Sequence, residues 1–313
     1  MSAVSTTTPV TLALDWTPNT THIGFFVAQA LGAYRQAGLE LRWVTPEDDG
    51  YTLTPAVKVS RGLAHFGLAP SETLLSFALQ PEKSALRAVA TLLQQDTSAI
   101  AVRADGPILR PAQLDGARYA SYSARFELAI VQALLRADGG RGELLEVRPE
   151  RLSAPAMLDA GQADATWVFS HWEGLRAARA GRPLRQFRLG EYGVAYGDSP
   201  VLLARAEMLA AQPDTVRAFV GASALGWKLA AHDPERAAAL MLQAVQHPTL
   251  TDAAFVTASA RALAPAILDA HGHWGTLSPA RWLAFAQLLV NLGEYPVDGL
   301  NAENWISRGW TAD

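Results

Sequence analysis

Cysteine is absent from the 313 residues, which excludes disulfide scaffolds, thiolate zinc sites, iron–sulfur clusters and cysteine nucleophiles in any compartment. Lysine is scarce: only Lys58, Lys83 and Lys228 occur among 26 basic residues, and the arginines are scattered among alanines. With a formal charge of -4 and a pI near 6.0, no global basic field exists to gather phosphate backbones, so nucleic acid is not an expected partner. Apolar runs fall short of the roughly 18 residues that span a bilayer, so no membrane insertion is expected. Residues 1–9 carry neither the positive region nor the apolar stretch of a secretory signal. The expected compartment is therefore the cytoplasm, or the periplasm or another extracytoplasmic space if a signal has been removed. No Gly-x-Gly-x-x-Gly follows a strand, no phosphate loop ends in Gly-Lys-Ser/Thr, and no Gly-x-Ser-x-Gly elbow is present.

What remains is a chain 50% hydrophobic and 18% charged, long enough for about two globular domains. Residues 10–14 read as a buried strand, a polar loop at 15–21 caps a helix through Phe25, Ala28 and Leu31, and 39–44 alternates as the next strand. A helix near 55–61 and a strand at 65–69 follow. This order predicts an α/β fold opening on a parallel sheet. An internal echo divides the chain: Pro55-Ala56 and Gly62 before Phe66-Gly67-Leu68 parallel Pro155-Ala156 and Gly161 before Ala165-Thr166-Trp167. The expected organisation is a first lobe over 1–98, a second over 99–199 with a strand at 117–120 and a helix near 124–136, and a mainly helical return to the first lobe over 200–313. Pro213, Pro234 and Pro265 should interrupt that return. Two crossovers between lobes would form a hinge.

In open α/β sheets ligands bind beyond the carboxyl ends of strands. Asp15, Trp16, Asn19 and His22 follow the first strand, and Ser71 and Glu72 follow the strand at 65–69. In the second lobe Ser121, Tyr122, Ser123 and Arg125 follow one strand and His171, Trp172 and Glu173 another, while the loop 192–200, with Tyr196, lies at the expected hinge. Aromatic faces with carboxylates and amides suit a flat, nitrogen-bearing ligand held in a cleft between lobes. Ser121, Ser123 and Arg125 at a helix start suit a phosphate instead. Taken singly, Asp15, Asn19 and Ser71 read equally as helix caps, and Glu72 and Glu127 as first-turn residues favoured by the helix dipole. Trp43, Trp227, Trp282 and Trp305 read as packing. His271 and His273 form a pair without an obvious third metal ligand, and no metal or cofactor is expected.

The segments Leu14 to Thr20, Gly32 to Leu39, Phe66 to Glu72, Trp167 to Gly174 and Tyr192 to Pro200 resemble the thiamine-pyrimidine family, over roughly residues 10–205. That family unites substrate-binding proteins of ABC importers for pyrimidine precursors of thiamine with fungal pyrimidine-precursor synthases. The resemblance implies a two-lobed type II periplasmic-binding-protein fold, with Trp16, Asn19, Tyr196 and Glu173 near a 4-aminopyrimidine, phosphorylated or not. The lysine and histidine of the synthases correspond here to Ala69 and Thr73, and their cysteine-rich motif near 192–200 has no counterpart. A binding protein is therefore the expected branch, with an ABC permease as partner or as a cytosolic relative of such importers' proteins, although no lipobox cysteine supplies a lipid anchor. An enzyme of thiamine-pyrimidine biosynthesis or salvage and a riboflavin-binding protein, with a flavin as ligand, are the alternatives.

Overall fold

The computed structural model describes residues 7–80, 85–149 and 154–311; residues 1–6, where a signal was sought, lie outside them. Its strands are β1 (Thr8–Ala13), β2 (Leu39–Val44), β3 (Phe66–Ala69), β4 (Leu86–Thr91), β5 (Ser98–Arg103), β6 (Ala117–Ala120), β7 (Leu144–Val147), β8 (Ala165–Phe169), β9 (Leu184–Phe187) and β10 (Val201–Arg205). The chain divides into two compact units. Unit 1 comprises 1–96, 198–279 and 301–313, and unit 2 comprises 97–197 and 280–300. The 280–300 segment of unit 2 carries most of the helix Pro279–Asn291, within the stretch read from sequence as the return to the first lobe. Among the described residues no helix is long and apolar enough to cross a membrane.

The unit 1 sheet has the order β2-β1-β3-β10-β4 and the unit 2 sheet the order β7-β6-β8-β5-β9. β1 pairs in parallel with β2 and β3, as the opening strand-helix-strand pattern predicts, but β10 runs antiparallel to both β3 and β4. β5 likewise runs antiparallel to β8 and β9. Both sheets are thus mixed rather than parallel. The antiparallel strand in each is the one at a unit's chain entry, arriving from the other unit rather than from a helical crossover within its own sheet. The internal echo has a structural basis, because β3 and β8 occupy the same central place in the two orders. Each follows a short helix, Pro55–Ser60 or Ala154–Asp159, and a left-handed glycine, Gly62 at φ +73° or Gly161 at φ +66°.

The unit 1 core is aromatic. Phe66 stacks on Phe219 at 4.2 Å, Phe219 on Tyr34 at 5.4 Å, and Trp227 on Trp274 at 5.5 Å between ring centroids. Such pairs add to the area that they bury. Trp227, Trp282 and Trp305 are fully buried, and Trp43 meets Phe26 edge-on, so the four tryptophans read as packing do pack. Pro213 and Pro234 open the helices Pro213–His232 and Pro234–Ala244 from the first turn, where a missing N–H leaves no bond unmade. Pro265 lies in the short 3-10 turn Ala264–Ala266.

The ladder between β1 and β3 is extended at its amino-terminal end by a side chain. The Nδ1 of His65 accepts the backbone N–H of Thr11 at 3.0 Å, while the His65 N–H donates to the Thr11 carbonyl. Only an imidazole with an unprotonated Nδ1 can accept in this way. Burial, helped by the nearby Arg205, holds the His65 pKa below 6.5. The unfolded chain therefore takes up this proton first as pH falls, so the contribution is complete above pH 6.5 and is lost below it, down to the depressed folded value. Wild-type melting temperature is expected to fall more steeply between pH 7 and 5 than that of His65→Asn, whose amide oxygen replaces Nδ1 without titrating. Parallel pH profiles would show that the ring nitrogen does not hold Thr11.

Candidate ligand-binding site

In unit 1 the carboxyl ends of β1 and β3 lie side by side, with Leu12 opposite Phe66 and Ala13 opposite Gly67. The loops that follow therefore bring Asp15, Trp16, Asn19 and His22 to the sheet end that also carries Ser71 and Glu72. Asn19 is a helix cap: its Oδ1 accepts the Thr21 N–H at 2.7 Å and its Nδ2 donates to the Thr17 carbonyl at 3.0 Å. Asp15 instead receives His22 Nε2 at 2.8 Å. His22 is fully buried, and its Nδ1 has no partner among the described residues. Ser71 precedes the helix Glu72–Ala78 without capping it through its side chain, and its buried Oγ is also unpaired. A buried polar atom left unpaired costs about 1–3 kcal/mol. Two such atoms on neighbouring strand ends mark groups that a ligand or water would complete. Trp16 is half-buried and Glu72 is buried in the first turn of its helix.

The loop 15–22 is tied down by residues far along the chain, which the local sequence pattern could not connect to it. Thr249 Oγ1 donates to the Pro18 carbonyl at 2.6 Å, and Ser259 Oγ lies 2.6 Å from Thr20 Oγ1. His247 Nε2 meets Glu47 Oε2 at 2.8 Å. Thr249→Val should cost about 1 kcal/mol in urea unfolding, the ordinary net worth of a hydrogen bond. An unchanged midpoint would show that Thr249 does not anchor the loop.

In unit 2 β6 and β8 are parallel neighbours, and their carboxyl ends carry Ser121 to Arg125 and Ser170 to Gly174. Tyr122 is half-buried; burial pushes its phenol pKa well up, and the negative charges of Glu173 and Glu127 add to the shift against a hydrogen bond to Thr166. Ser170–Gly174 forms a single wide π-type turn, a geometry frequent at functional sites. It places Glu173 so that Oε2 accepts the Phe169 N–H at 3.0 Å. Burial of that carboxyl raises its pKa, and the Phe169 N–H and Arg176 offset the rise only in part. Trp172 is 5% exposed, and the Arg176 guanidinium lies 5.1 Å from its ring centroid. The half-buried Trp167 ring meets Tyr196 at 5.3 Å, and Tyr196 meets Phe285 edge-on at 5.2 Å. Arg125 is exposed and lies over the Phe126 ring.

Glu127 does more than favour a helix dipole. Its Oε1 accepts Tyr119 OH at 2.7 Å and the Tyr122 N–H at 3.0 Å; its Oε2 accepts Ser121 Oγ at 3.1 Å and the Ala124 N–H at 3.2 Å. Ser121 Oγ also accepts the Ser123 N–H at 2.8 Å, fixing Ser123 at φ +63°. A first-turn glutamate was visible in the sequence; its four donors were not. His271 and His273 sit on a turn organised by Asp269, which accepts both their N–H groups and the Thr276 hydroxyl. Among the described residues no group of three or more His, Asp or Glu could hold a metal ion.

The model of the NMT1/THI5-like family matches residues 19–237. The chain belongs to that family. A formylaminopyrimidine-binding protein of Halalkalibacterium halodurans is 24% identical over 238 residues, covering 74% of this chain and 69% of that protein. Among solved structures, the alkanesulfonate-binding protein SsuA of Xanthomonas axonopodis pv. citri superimposes with a TM-score of 0.70 at 18% identity, over 96% of this chain and 98% of that one. The periplasmic aliphatic sulphonate binding protein SsuA of Escherichia coli gives 0.64 at 16% identity, over 96% and 92%. The desulfurization enzyme DSZB gives 0.59 at 16% identity, over 97% of both chains. The fold of this family member is accordingly the two-lobed α/β fold of type II periplasmic binding proteins.

Proposed function

We propose that this protein binds a small aminopyrimidine precursor of thiamine, as the substrate-binding protein of an ABC importer working outside the cytoplasmic membrane. The observation that carries the reading is Glu173: a carboxyl whose pKa is raised by burial and whose charge acts on the Tyr122 phenol. A 4-aminopyrimidine presents an exocyclic N–H donor next to a ring-nitrogen acceptor. A carboxyl group and such an edge form two hydrogen bonds with one proton shared between them, and a carboxyl whose pKa is raised toward that of the ring nitrogen shares it best. Tyr122, Trp172 and Tyr196, all in unit 2, would supply apolar faces. The name of the Halalkalibacterium relative supports the ligand class.

Calorimetric titration with hydroxymethyl- and formylamino-pyrimidines, thiamine and riboflavin tests the proposal. A pyrimidine is expected to bind well below millimolar, the level that corresponds to only about 4 kcal/mol. Tight binding of riboflavin with no pyrimidine binding would transfer the site to flavins. The Asp15–His22 pair with its bare Nδ1 favours a second reading, an enzyme that uses His22 as base on a bound pyrimidine. Product formed during incubation with saturating ligand would establish it, and tight binding without turnover would dismiss it.

A further inference from the structure

The start of the helix Glu127–Ala137 is where an anionic ligand group would be expected to dock, because a helix amino end offers free N–H groups and a positive field. In this chain the loop that leads into that helix already holds the protein's own carboxylate, on the N–H groups of Tyr122 and Ala124. The donors that converge there, two backbone N–H groups and the hydroxyls of Tyr119 and Ser121, end on Glu127, which is 3% exposed. A second observation points the same way. The Tyr122 phenol beside this turn is held up partly by the negative charge of both Glu173 and Glu127. Ser121 also faces Glu146, whose own charge is engaged by Arg148. The one basic side chain in the segment 121–127, Arg125, is exposed and lies over Phe126.

We propose that Glu127 is a built-in anion that determines specificity: it occupies the donors that a phosphate or sulfonate would need and makes the unit 2 strand ends accept uncharged or weakly basic ligands only. The inference deepens the aminopyrimidine reading and rests on it for the identity of the ring, but not for the exclusion of anions. It also separates this chain from the sulfonate-named proteins that share its fold.

The test is calorimetry on the full chain with 4-amino-5-hydroxymethyl-2-methylpyrimidine, its phosphate monoester, inorganic phosphate and methanesulfonate. The alcohol is expected to bind at least 100-fold more tightly than the ester, with neither simple anion binding below millimolar. An ester within threefold of the alcohol, or submillimolar binding of either anion, overturns the proposal. The two anions read the exclusion even if no pyrimidine binds, an outcome that would count against the pyrimidine reading alone. Glu127→Gln removes the charge at nearly constant shape and is expected to narrow the alcohol-to-ester ratio at least tenfold, through a gain in ester binding rather than a loss of alcohol binding. An unchanged ratio in the folded variant overturns the assignment to Glu127. If that variant does not fold, Tyr119→Phe with Ser121→Ala strips two donors from the carboxylate while keeping its charge. The ratio must then hold or rise, and a fall overturns the proposal.

Discussion

Gly226→Ala is expected to destabilise unit 1 by about 3 kcal/mol or more, at the upper end of overpacking effects. A Cβ at Gly226 would lie 2.0 Å from the Gly24 carbonyl oxygen and 2.6 Å from the Ala28 nitrogen. The atoms in the way are backbone, so no rotamer change relieves the clash. The helices Ile23–Ala30 and Pro213–His232 must separate, and with them Phe25, Trp227 and the Trp274 ring stacked on Trp227. A Cβ at Gly24 would meet the Trp227 ring at 2.2 Å, so the close approach is built from both sides. Gly221, five residues earlier on the same helix, has nothing within 4 Å of its added Cβ. Gly221→Ala is therefore expected to stabilise by about 0.5–1 kcal/mol, through the lower backbone entropy of alanine in the unfolded chain. Urea unfolding followed by tryptophan fluorescence reads both variants. Similar midpoints for the two would remove the helix crossing as the cause.

The contrast between these two glycines shows where the sequence is informative and where it stops. Hydrophobic periodicity and glycine punctuation marked the strands at 39–44 and 117–120 with the bounds found in the structure, because a strand's pattern is local. The Pro55 and Pro155 echo indicated two related halves, which the matching sheet orders explain. Nothing local distinguishes Gly226 from Gly221, since the difference lies in the distant helix that carries Gly24 and Ala28. For the same reason Thr249 and Ser259 gave no sign of holding the loop 15–22, and the antiparallel directions of β5 and β10 were missed. The candidate site was legible as residue types at strand ends, a consequence of α/β topology. Which of those residues are engaged within the protein was not: Asn19 caps its helix, Asp15 pairs with His22, and Ser71 does neither. Each outcome depends on where a side chain's neighbours end up in three dimensions.

Glu173→Gln is expected to move stability and binding in opposite directions. Burial raises the Glu173 pKa above 4.5, its ordinary value, so the folded protein holds this proton more tightly than the unfolded chain. Stability is then greatest below pH 4.5, falls as pH rises to the folded pKa, and stays at the lower level above it. Glutamine keeps an oxygen for the Phe169 N–H but cannot ionise. At pH 7 the variant should melt at a higher temperature than wild type, and the difference should shrink toward a constant as pH falls to 4.5. Aminopyrimidine affinity should meanwhile drop about 10- to 100-fold, the range set by about 1.5–3 kcal/mol for a hydrogen bond to a charged group. Glutamine can meet the exocyclic amine or the ring nitrogen but cannot share a proton with the ring. A Glu173→Gln variant that is more stable and binds as well as wild type would take Glu173 out of the site. A loss of binding together with a gain in stability is the signature of a carboxyl retained for its ligand and not for the fold.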